Sequence, residues 1–275
     1  MTQALDWQGA VGRKWAQMHA LTDRSFSGLT QQLLDRLERL PGSAILDIGC
    51  GAGELSLALA RLRPRATVVG VDVSADLVAA ARARAGERGA VSFIEADAAR
   101  WEPEGFRPDL LVSRHGVMFF DDPPGAFAHL RACAAPEASL AFTCVRDRRL
   151  NPWASELAAL LPPDLVVPAD PYAPGPFAFA DEARTAGILE QAGWREVRME
   201  PLDFAYVAGM GADPVADAMG FLERIGPAAP ALEQLKGAPA EAAVHARLVT
   251  WMRGYASEGL VAFPAAAWLV TARRD

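Results

Sequence analysis

The sequence predicts an α/β protein in which a mostly parallel sheet carries helices on both faces. Short apolar runs alternate with longer segments whose apolar residues follow a helical period, a pattern typical of successive strand–helix–strand units. The first apolar run, at residues 44–48, ends in a glycine-rich turn that leads into a leucine-rich helix. The chain has 275 residues, of which 51% are hydrophobic, and this suits one such domain with insertions rather than two independent domains.

The remaining elements follow in alternation along the chain. Strands are predicted near 44–48, 67–72, 91–95, 109–113, 138–145 and 194–202, and helices near 9–19, 26–40, 53–62, 75–88, 123–135, 181–192, 215–225 and 240–256. The helix at 123 has a good start, because Asp122 can cap it and Pro123 suits its first turn.

The glycine turn after the first strand predicts a pocket for an adenosine-containing cofactor. The glycines allow a sharp turn and let a ligand lie against the main chain, while Asp72 at the end of the second strand can accept hydrogen bonds from both ribose hydroxyls. The spacing is Gly49-x-Gly51-x-Gly53, and Glu54 stands where a dinucleotide fingerprint has its last glycine.

Asp47, two residues before the first glycine, helps to discriminate between the candidate cofactors. A carboxylate there would repel a pyrophosphate resting on the helix N-terminus, but it would attract an ammonium group. S-adenosylmethionine, which combines adenine, ribose and a cationic amino acid, therefore fits better than a nicotinamide dinucleotide.

At this point the chain resembles the class I S-adenosylmethionine-dependent methyltransferases. The segments at 47–53, 70–74 and 93–98 look like their first three motifs, and 109–123 is similar to their fourth strand and its exit loop. The resemblance covers about 40–145 closely and extends loosely to 268–274, which looks like the final strand. It implies a Rossmann-like, seven-stranded, mostly parallel sheet, with S-adenosylhomocysteine as the product of the reaction.

The resemblance also implies which residues bind the cofactor. Those on its motifs or beside them are Asp47, Gly49, Cys50, Gly51, Gly53, Asp72, Val73, Asp97, Ala98 and Arg114, with Asp97 receiving the adenine amino group. Cys50 occupies a loop position that needs a small residue. Trp15 belongs to an N-terminal helix that closes over the cofactor in similar enzymes, although plain packing against the core is equally compatible with its position.

His115, which follows the fourth strand, is the candidate catalytic base if the acceptor must lose a proton. Relatives often place an aromatic residue there, so the alternative is that the imidazole ring only fills that slot. Candidate substrate-binding residues are His115, Met118, Phe119, Trp153 and Tyr172. Packing roles remain open for all of them, and Arg114 could orient an acidic acceptor instead of the cofactor carboxylate.

Two insertions and the N-terminal helices are the material available to cover an acceptor. Residues 149–180 carry seven prolines and several aromatic residues, which predicts an ordered, proline-braced loop, and 204–258 contains two helical stretches that form either a cap or an oligomer interface, such as that of a homodimer. The predicted organisation is a helical lid at 1–40, the cofactor-binding core at 41–148, a cap loop at 149–180, more core at 181–203, a helical insertion at 204–258 and a final core strand at 259–275.

The amino-acid composition and charge limit the kinds of binding partner that we expect. The net charge of −7 argues against nucleic-acid binding, no run of about 18 apolar residues predicts a membrane span, and the N-terminus lacks signal-peptide features, so the expected compartment is the cytoplasm. The cysteines and histidines lack metal-ligand spacing.

The expected acceptor is a small molecule or a peptide, methylated on O, N or C. Two other classes stay open: a cofactor-binding module without catalysis, and a nicotinamide oxidoreductase, which the glycine spacing and the lack of a Tyr-x-x-x-Lys pair disfavour.

Overall fold

The computed structural model describes residues 4–86, 89–166 and 170–275. Parts of the predicted lid (residues 1–3), of the helix predicted at 75–88 (residues 87 and 88) and of the predicted cap loop (residues 167–169) lie outside the described residues. In the described part no helix is both long and apolar enough to span a bilayer.

Helices and strands alternate through most of the chain. The helices are α1 (Ala4–Gln8), α2 (Ala10–Gln17), α3 (His19–Leu37), α4 (Glu54–Leu62), α5 (Ala75–Ala85), α6 (Pro123–Cys133), α7 (Pro152–Leu160), α8 (Glu182–Gln191), α9 (Pro214–Leu222), α10 (Ala229–Leu235) and α11 (Glu241–Arg253). The strands are β1 (Ala44–Ile48), β2 (Thr67–Asp72), β3 (Val91–Glu95), β4 (Leu110–Arg114), β5 (Ser139–Val145), β6 (Arg195–Met210), β7 (Ala256–Ser257) and β8 (Leu260–Arg273).

The strands form one sheet in the order β3-β2-β1-β4-β5-β8-β6, and the two-residue β7 pairs with β8. Neighbours from β3 to β5 are parallel, whereas β8 runs antiparallel to both β5 and β6. The prediction of a seven-stranded, mostly parallel sheet is confirmed, with β7 as a short addition. The strand order reverses between β1 and β4, so their carboxyl ends open the crevice in which such sheets bind ligands.

Two hydrophobic cores cover the two faces of this sheet, and a third lies under the insertions. One core contains Phe127, Phe142 and Trp194, and the opposite one contains Leu29 and Leu33 of α3. Because these α3 side chains are fully buried against the sheet, α3 is a structural layer of the core. The third core joins α7, α9, α10 and α11 to the outer halves of β6 and β8.

Three elements differ from the sequence prediction. β6 extends to Met210, well beyond the predicted 194–202, so residues 204–210 of the predicted helical insertion are strand and pair with β8 (Leu260–Arg273). The extension is stabilised by cross-strand pairing between these two strands, a long-range contact with no local signal. The segment predicted as a proline-braced loop contains α7, since Pro152 sits in a first helical turn where proline is tolerated. Pro230 likewise lies in the first turn of α10, a helix that the sequence analysis did not predict.

The short helices α1 and α2 are fixed against α5 through Gly12. A Cβ atom on Gly12 would overlap the carbonyl oxygen of Trp7 and the Oγ of Ser74, the residue that caps α5. We therefore expect Gly12→Ala to lower the free energy of unfolding by about 1–3 kcal/mol, the usual cost of overpacking, in urea titrations followed by circular dichroism.

Gly28→Ala is the matched control, because an added Cβ in α3 would meet its nearest neighbour at 3.8 Å. Alanine should stabilise that helix by about 0.5–1 kcal/mol relative to glycine. Equal effects at the two positions would contradict the tight docking of α1 and α2.

Candidate active site

The turn after β1 is held in place by the end of β2. The amide groups of Gly49 and Cys50 donate to the carbonyl oxygen of Val71 at 2.8 and 3.1 Å. The Asp72 carboxylate accepts from the amides of Gly51 (2.8 Å) and Ser74 (2.9 Å). Burial raises the pKa of Asp72, while these hydrogen bonds favour its ionised form. The loop shape therefore depends on an acid 21 residues further along the chain.

The glycines of this turn have distinct tasks. Gly49, Gly51 and Gly53 all have positive φ, at 64°, 54° and 82°. A Cβ on Gly51 would meet nothing within 4 Å, so this part of the loop faces open space and leaves its backbone accessible. Gly53 instead lies behind the loop, where a Cβ would come within 2.8 Å of the Phe93 ring. It shapes the start of α4 and is not among the residues that line the cavity described next.

A single cavity of about 1390 Å³ collects the other predicted site residues at this edge of the sheet. They are Trp15, Asp47, Gly49, Cys50, Gly51, Asp72, Val73, Asp97, Ala98, Arg114, His115, Met118, Phe119, Trp153 and Tyr172. Residues from α2, four strand ends and α7 thus meet in one space, as expected where parallel strands end together. Sequence reasoning missed Phe26, Glu54 and Tyr206, which also line the cavity. Glu54 directly follows the glycine loop, whereas Phe26 of α3 and Tyr206 of β6 are brought there by long-range contacts.

Asp47 is a buried carboxylate beside the loop. Only 1% of its surface is exposed, and it accepts a 2.5 Å hydrogen bond from Ser56 Oγ. Burial raises its pKa to about 7, against the opposing effects of Ser56 and the more distant Arg114. An acid that is so costly to ionise gains most from a cation placed next to it.

The ends of β3 and β4 contribute residues of different character. Asp97 is half-exposed and accepts from the amide of Ala99 at 2.9 Å, and Ala98 beside it is buried. Arg114 does not project freely into the cavity. It forms an ion pair with Glu54 and donates to Thr30 Oγ1 at 2.8 Å, so its charge is already compensated.

The aromatic residues lie at two places in the cavity wall. Trp15 packs edge-on against Trp7, which packs in the same way against Phe119, with ring centroids 5.3 and 5.0 Å apart. The Nε1 of Trp7 is buried without a partner among the described residues. Tyr172 lies at the rim, 54% exposed, under the guanidinium of Arg184.

His115 is placed next to the glycine loop by contact between two turns. A Cβ on Gly49 would lie 2.7 Å from the Cα of Gly116, so the turns after β1 and β4 touch directly. His115 itself has φ of 68°, in the left-handed region. Its ring packs edge-on against Phe26, and the ring centroids are 5.3 Å apart.

The hydrogen bonds of His115 favour one tautomer. Nδ1 lies 3.2 Å from both the carbonyl oxygen and the Oγ1 of Thr143. The carbonyl oxygen can only accept, whereas the hydroxyl can also accept, so a proton on Nδ1 suits both contacts. Nε2 then keeps its lone pair, and it is buried without a partner among the described residues. Burial lowers the pKa of His115 to about 4, so the ring is neutral at pH 7. A residue of the cavity wall beside the glycine loop therefore carries a buried, unsatisfied acceptor.

Comparisons with known proteins identify the family to which the chain belongs. The family model described as "Methyltransferase domain" matches residues 45–137. The chain is 32% identical over 206 residues to trans-aconitate 2-methyltransferase of Afipia carboxidovorans, covering 70% of this chain and 78% of that one. It is 31% identical over 186 residues to nocamycin O-methyltransferase of Saccharothrix syringae, covering 60% and 66%.

A solved structure shows the same fold. Magnesium protoporphyrin IX methyltransferase from Synechocystis PCC 6803, with bound SAH, superposes with a TM-score of 0.53 at 15% identity and covers 98% of this chain and 96% of its own. The chain belongs to the class I S-adenosylmethionine-dependent methyltransferases. It is accordingly an enzyme that uses S-adenosylmethionine, as the sequence motifs predicted.

The bond between Asp72 and the loop gives a direct test of the site architecture. Asp72→Ala leaves two amides at Gly51 and Ser74 without their acceptor. We expect the free energy of unfolding to fall by about 2–4 kcal/mol, the scale of losing charge-assisted hydrogen bonds in a buried setting, measured by urea unfolding. Asp72→Asn retains one acceptor oxygen and should lose about half as much. A loss below about 0.5 kcal/mol for Asp72→Ala would show that the loop holds its shape without it.

Proposed function

We propose that this enzyme transfers the methyl group of S-adenosylmethionine to an oxygen atom of a small organic acceptor. The observation that carries the proposal is the Nε2 of His115, a buried nitrogen without a partner among the described residues, on a side chain that lines the cavity beside the glycine loop. Such a nitrogen suits an acceptor that arrives with an O–H group. The relative named as nocamycin O-methyltransferase supports oxygen as the target atom, and the relative named for trans-aconitate supports a small acceptor.

The residues present fit the cofactor. The open backbone at Gly51 can receive it, the Asp72 carboxylate retains lone pairs for the ribose hydroxyls, and Asp47 can balance the ammonium group. We assign the adenine to Asp97 and Ala98, and the lid function to α1 and α2 with Trp7 and Trp15. When bound, the cofactor supplies a methyl group already activated by a sulfonium charge.

The protein's own work is then alignment, exclusion of water and removal of one proton. The aromatic residues around the cavity displace water from the reacting atoms. His115 Nε2 accepts a hydrogen bond from the acceptor hydroxyl and takes its proton as the oxygen attacks. Thr143 holds the imidazole in the tautomer that this role needs. The cytoplasmic location, the homodimer and the peptide acceptor remain predictions from the sequence.

The proposal is tested by incubating the protein with labelled S-adenosylmethionine and a panel of carboxylic acids, phenols and enols. Labelled methyl ester or ether in the extract, matched by an equal amount of S-adenosylhomocysteine, would support it. Label found only on nitrogen or carbon acceptors would contradict it.

The Asp47 carboxylate predicts a pH dependence of cofactor affinity. Its pKa of about 7 means that the ionised form, which attracts an ammonium group, is lost as the pH falls below 7. We expect the affinity for S-adenosylhomocysteine to fall between pH 7.5 and 5.5, approaching tenfold per pH unit at the acid end, in calorimetric titrations. Asp47→Asn should bind more weakly at pH 7.5 and show a flatter profile.

The same group affects folding stability with the opposite sign. Because its folded pKa lies above the ordinary value of 3.8, Asp47 contributes stability below about pH 4, and this contribution is lost as the pH rises through about 7. The Asp47→Asn protein should therefore gain stability relative to wild type as the pH rises from 4 to 7. The role given to Asp47 would be contradicted if wild type and Asp47→Asn showed the same pH dependence of S-adenosylhomocysteine affinity and of the free energy of unfolding.

Substitution of His115 separates catalysis from binding. His115→Asn suits the left-handed backbone but does not reproduce the position of Nε2, and His115→Phe keeps only the ring. With a phenol or an enol from the panel, whose hydroxyl must lose a proton, we expect both variants to lower turnover by about 10²–10⁴-fold, the usual contribution of a general base. The affinity for S-adenosylhomocysteine should change by less than about 0.5 kcal/mol. Full turnover by His115→Phe would remove His115 as the base.

A further inference from the structure

The insertions build a part of the cavity beyond His115 in which most of the lining side chains are apolar, although Arg148, Arg224 and Glu233 also line it. We call it the acceptor chamber and define it by the lining residues Trp153, Leu157, Ala158, Tyr206, Ile225 and Ala228. They come from α7, β6 and the link between α9 and α10. Leu157, Ile225 and Ala228 are almost fully buried, so the chamber wall belongs to the third hydrophobic core.

A buried asparagine fixes one wall of this chamber. Asn151 Oδ1 accepts from Trp153 Nε1 and from the Ala266 amide, both at 3.0 Å, and its Nδ2 donates to the Asp147 and Ala266 carbonyl oxygens. One of these four hydrogen bonds holds the indole, and the other three fix the asparagine side chain to the backbone. Trp153 stacks on Tyr206, with centroids 5.8 Å apart and planes at 22°. The wall is therefore rigid and aromatic before any acceptor enters.

The cations that line the cavity are badly placed for a polycarboxylate. Lys14, Arg100, Arg148 and Arg224 line the cavity but are exposed, so their charges are solvated. Arg148 lies over the Phe177 ring and donates to the Ala154 carbonyl oxygen, and the more buried Arg114 is paired with Glu54. A molecule with three carboxylates would have to bury charges without matching donors, which costs several kcal/mol for each charge.

The cavity is also large for a small acid. Its volume of about 1390 Å³ exceeds the roughly 300–1,000 Å³ of ordinary small-molecule sites, so space remains after a nucleoside cofactor occupies the glycine-loop end. A compact acid would leave part of that space to be filled by water.

We propose that the acceptor is a bulky, largely apolar molecule with several fused rings and one reactive hydroxyl, and that a polycarboxylate is excluded. The inference rests on the proposed function, since it names the acceptor class of that same site. The rings occupy the acceptor chamber, and the hydroxyl reaches His115 Nε2 at the chamber mouth.

Three ligands test this with the enzyme saturated by S-adenosylhomocysteine. Alizarin, a dihydroxylated anthraquinone, carries a catechol group on a three-ring body, catechol is the same group alone, and trans-aconitate is a tricarboxylate. In calorimetric titrations alizarin should bind at least about tenfold more tightly than catechol, because it buries more apolar surface, and trans-aconitate should not bind. The inference would be overturned if trans-aconitate bound more tightly than alizarin, or if alizarin and catechol bound equally well.

Substitutions at two adjacent alanines of α7 test whether the acceptor chamber is the binding site. Ala158 lines the chamber, whereas Ala159 is exposed and outside it. Ala158→Phe should weaken alizarin binding by at least about tenfold, because the ring fills the chamber, while Ala159→Phe should leave it unchanged. Equal effects of the two variants would mean non-specific adsorption and would overturn the inference.

The outcomes distinguish this inference from the proposed function. If S-adenosylhomocysteine itself does not bind, the proposed function fails. If it binds and label from S-adenosylmethionine is transferred to trans-aconitate, the proposed function stands and the inference about the acceptor is wrong.

Discussion

The hydrogen bond from the Gly51 amide to the Asp72 carboxylate is the constraint on which the site depends. It joins the turn after β1 to the end of β2, and the same carboxylate caps the turn before α5 through Ser74. A short glycine turn would otherwise have many conformations, since glycine restricts the backbone so little. With Asp72 in place, the turn presents an open backbone to the cavity, and the acid remains available to a ligand.

The second constraint is the close contact of Gly49 with Gly116, which fixes the distance between the cofactor end of the site and His115. Neither position has room for a side chain, so the turns after β1 and β4 cannot separate without losing this contact. The parallel pairing of β1 with β4 brings the two turns together. The neutral His115 imidazole is held by Thr143 of the next strand, β5, so three strands together orient one nitrogen atom.

The cofactor half of the site was predictable because its signals are local. The glycine spacing, Asp47 and Asp72 all lie within 26 consecutive residues, and each strand end there is marked by a residue that reaches the cavity. The acceptor half was not predictable in the same way. Tyr206 reaches the chamber only because β6 and β8 pair far beyond the main sheet, and Trp153 is positioned by Asn151 bonding to β8, 115 residues away. The sequence pattern also could not show that Glu54 neutralises Arg114. Their ion pair forms because the ends of β1 and β4 are neighbours in the sheet.

The most direct test of the central claim is a parallel calorimetric titration of the purified protein with S-adenosylmethionine, S-adenosylhomocysteine and NAD. The claim is that this glycine loop, with Asp47 at its base, is built for a cationic amino acid attached to adenosine rather than for a pyrophosphate. It predicts dissociation constants on the micromolar scale, about −8 kcal/mol, for the first two ligands and no detectable binding of NAD. Binding of NAD with no response to the other two would contradict the account of the loop and of the chemistry derived from it.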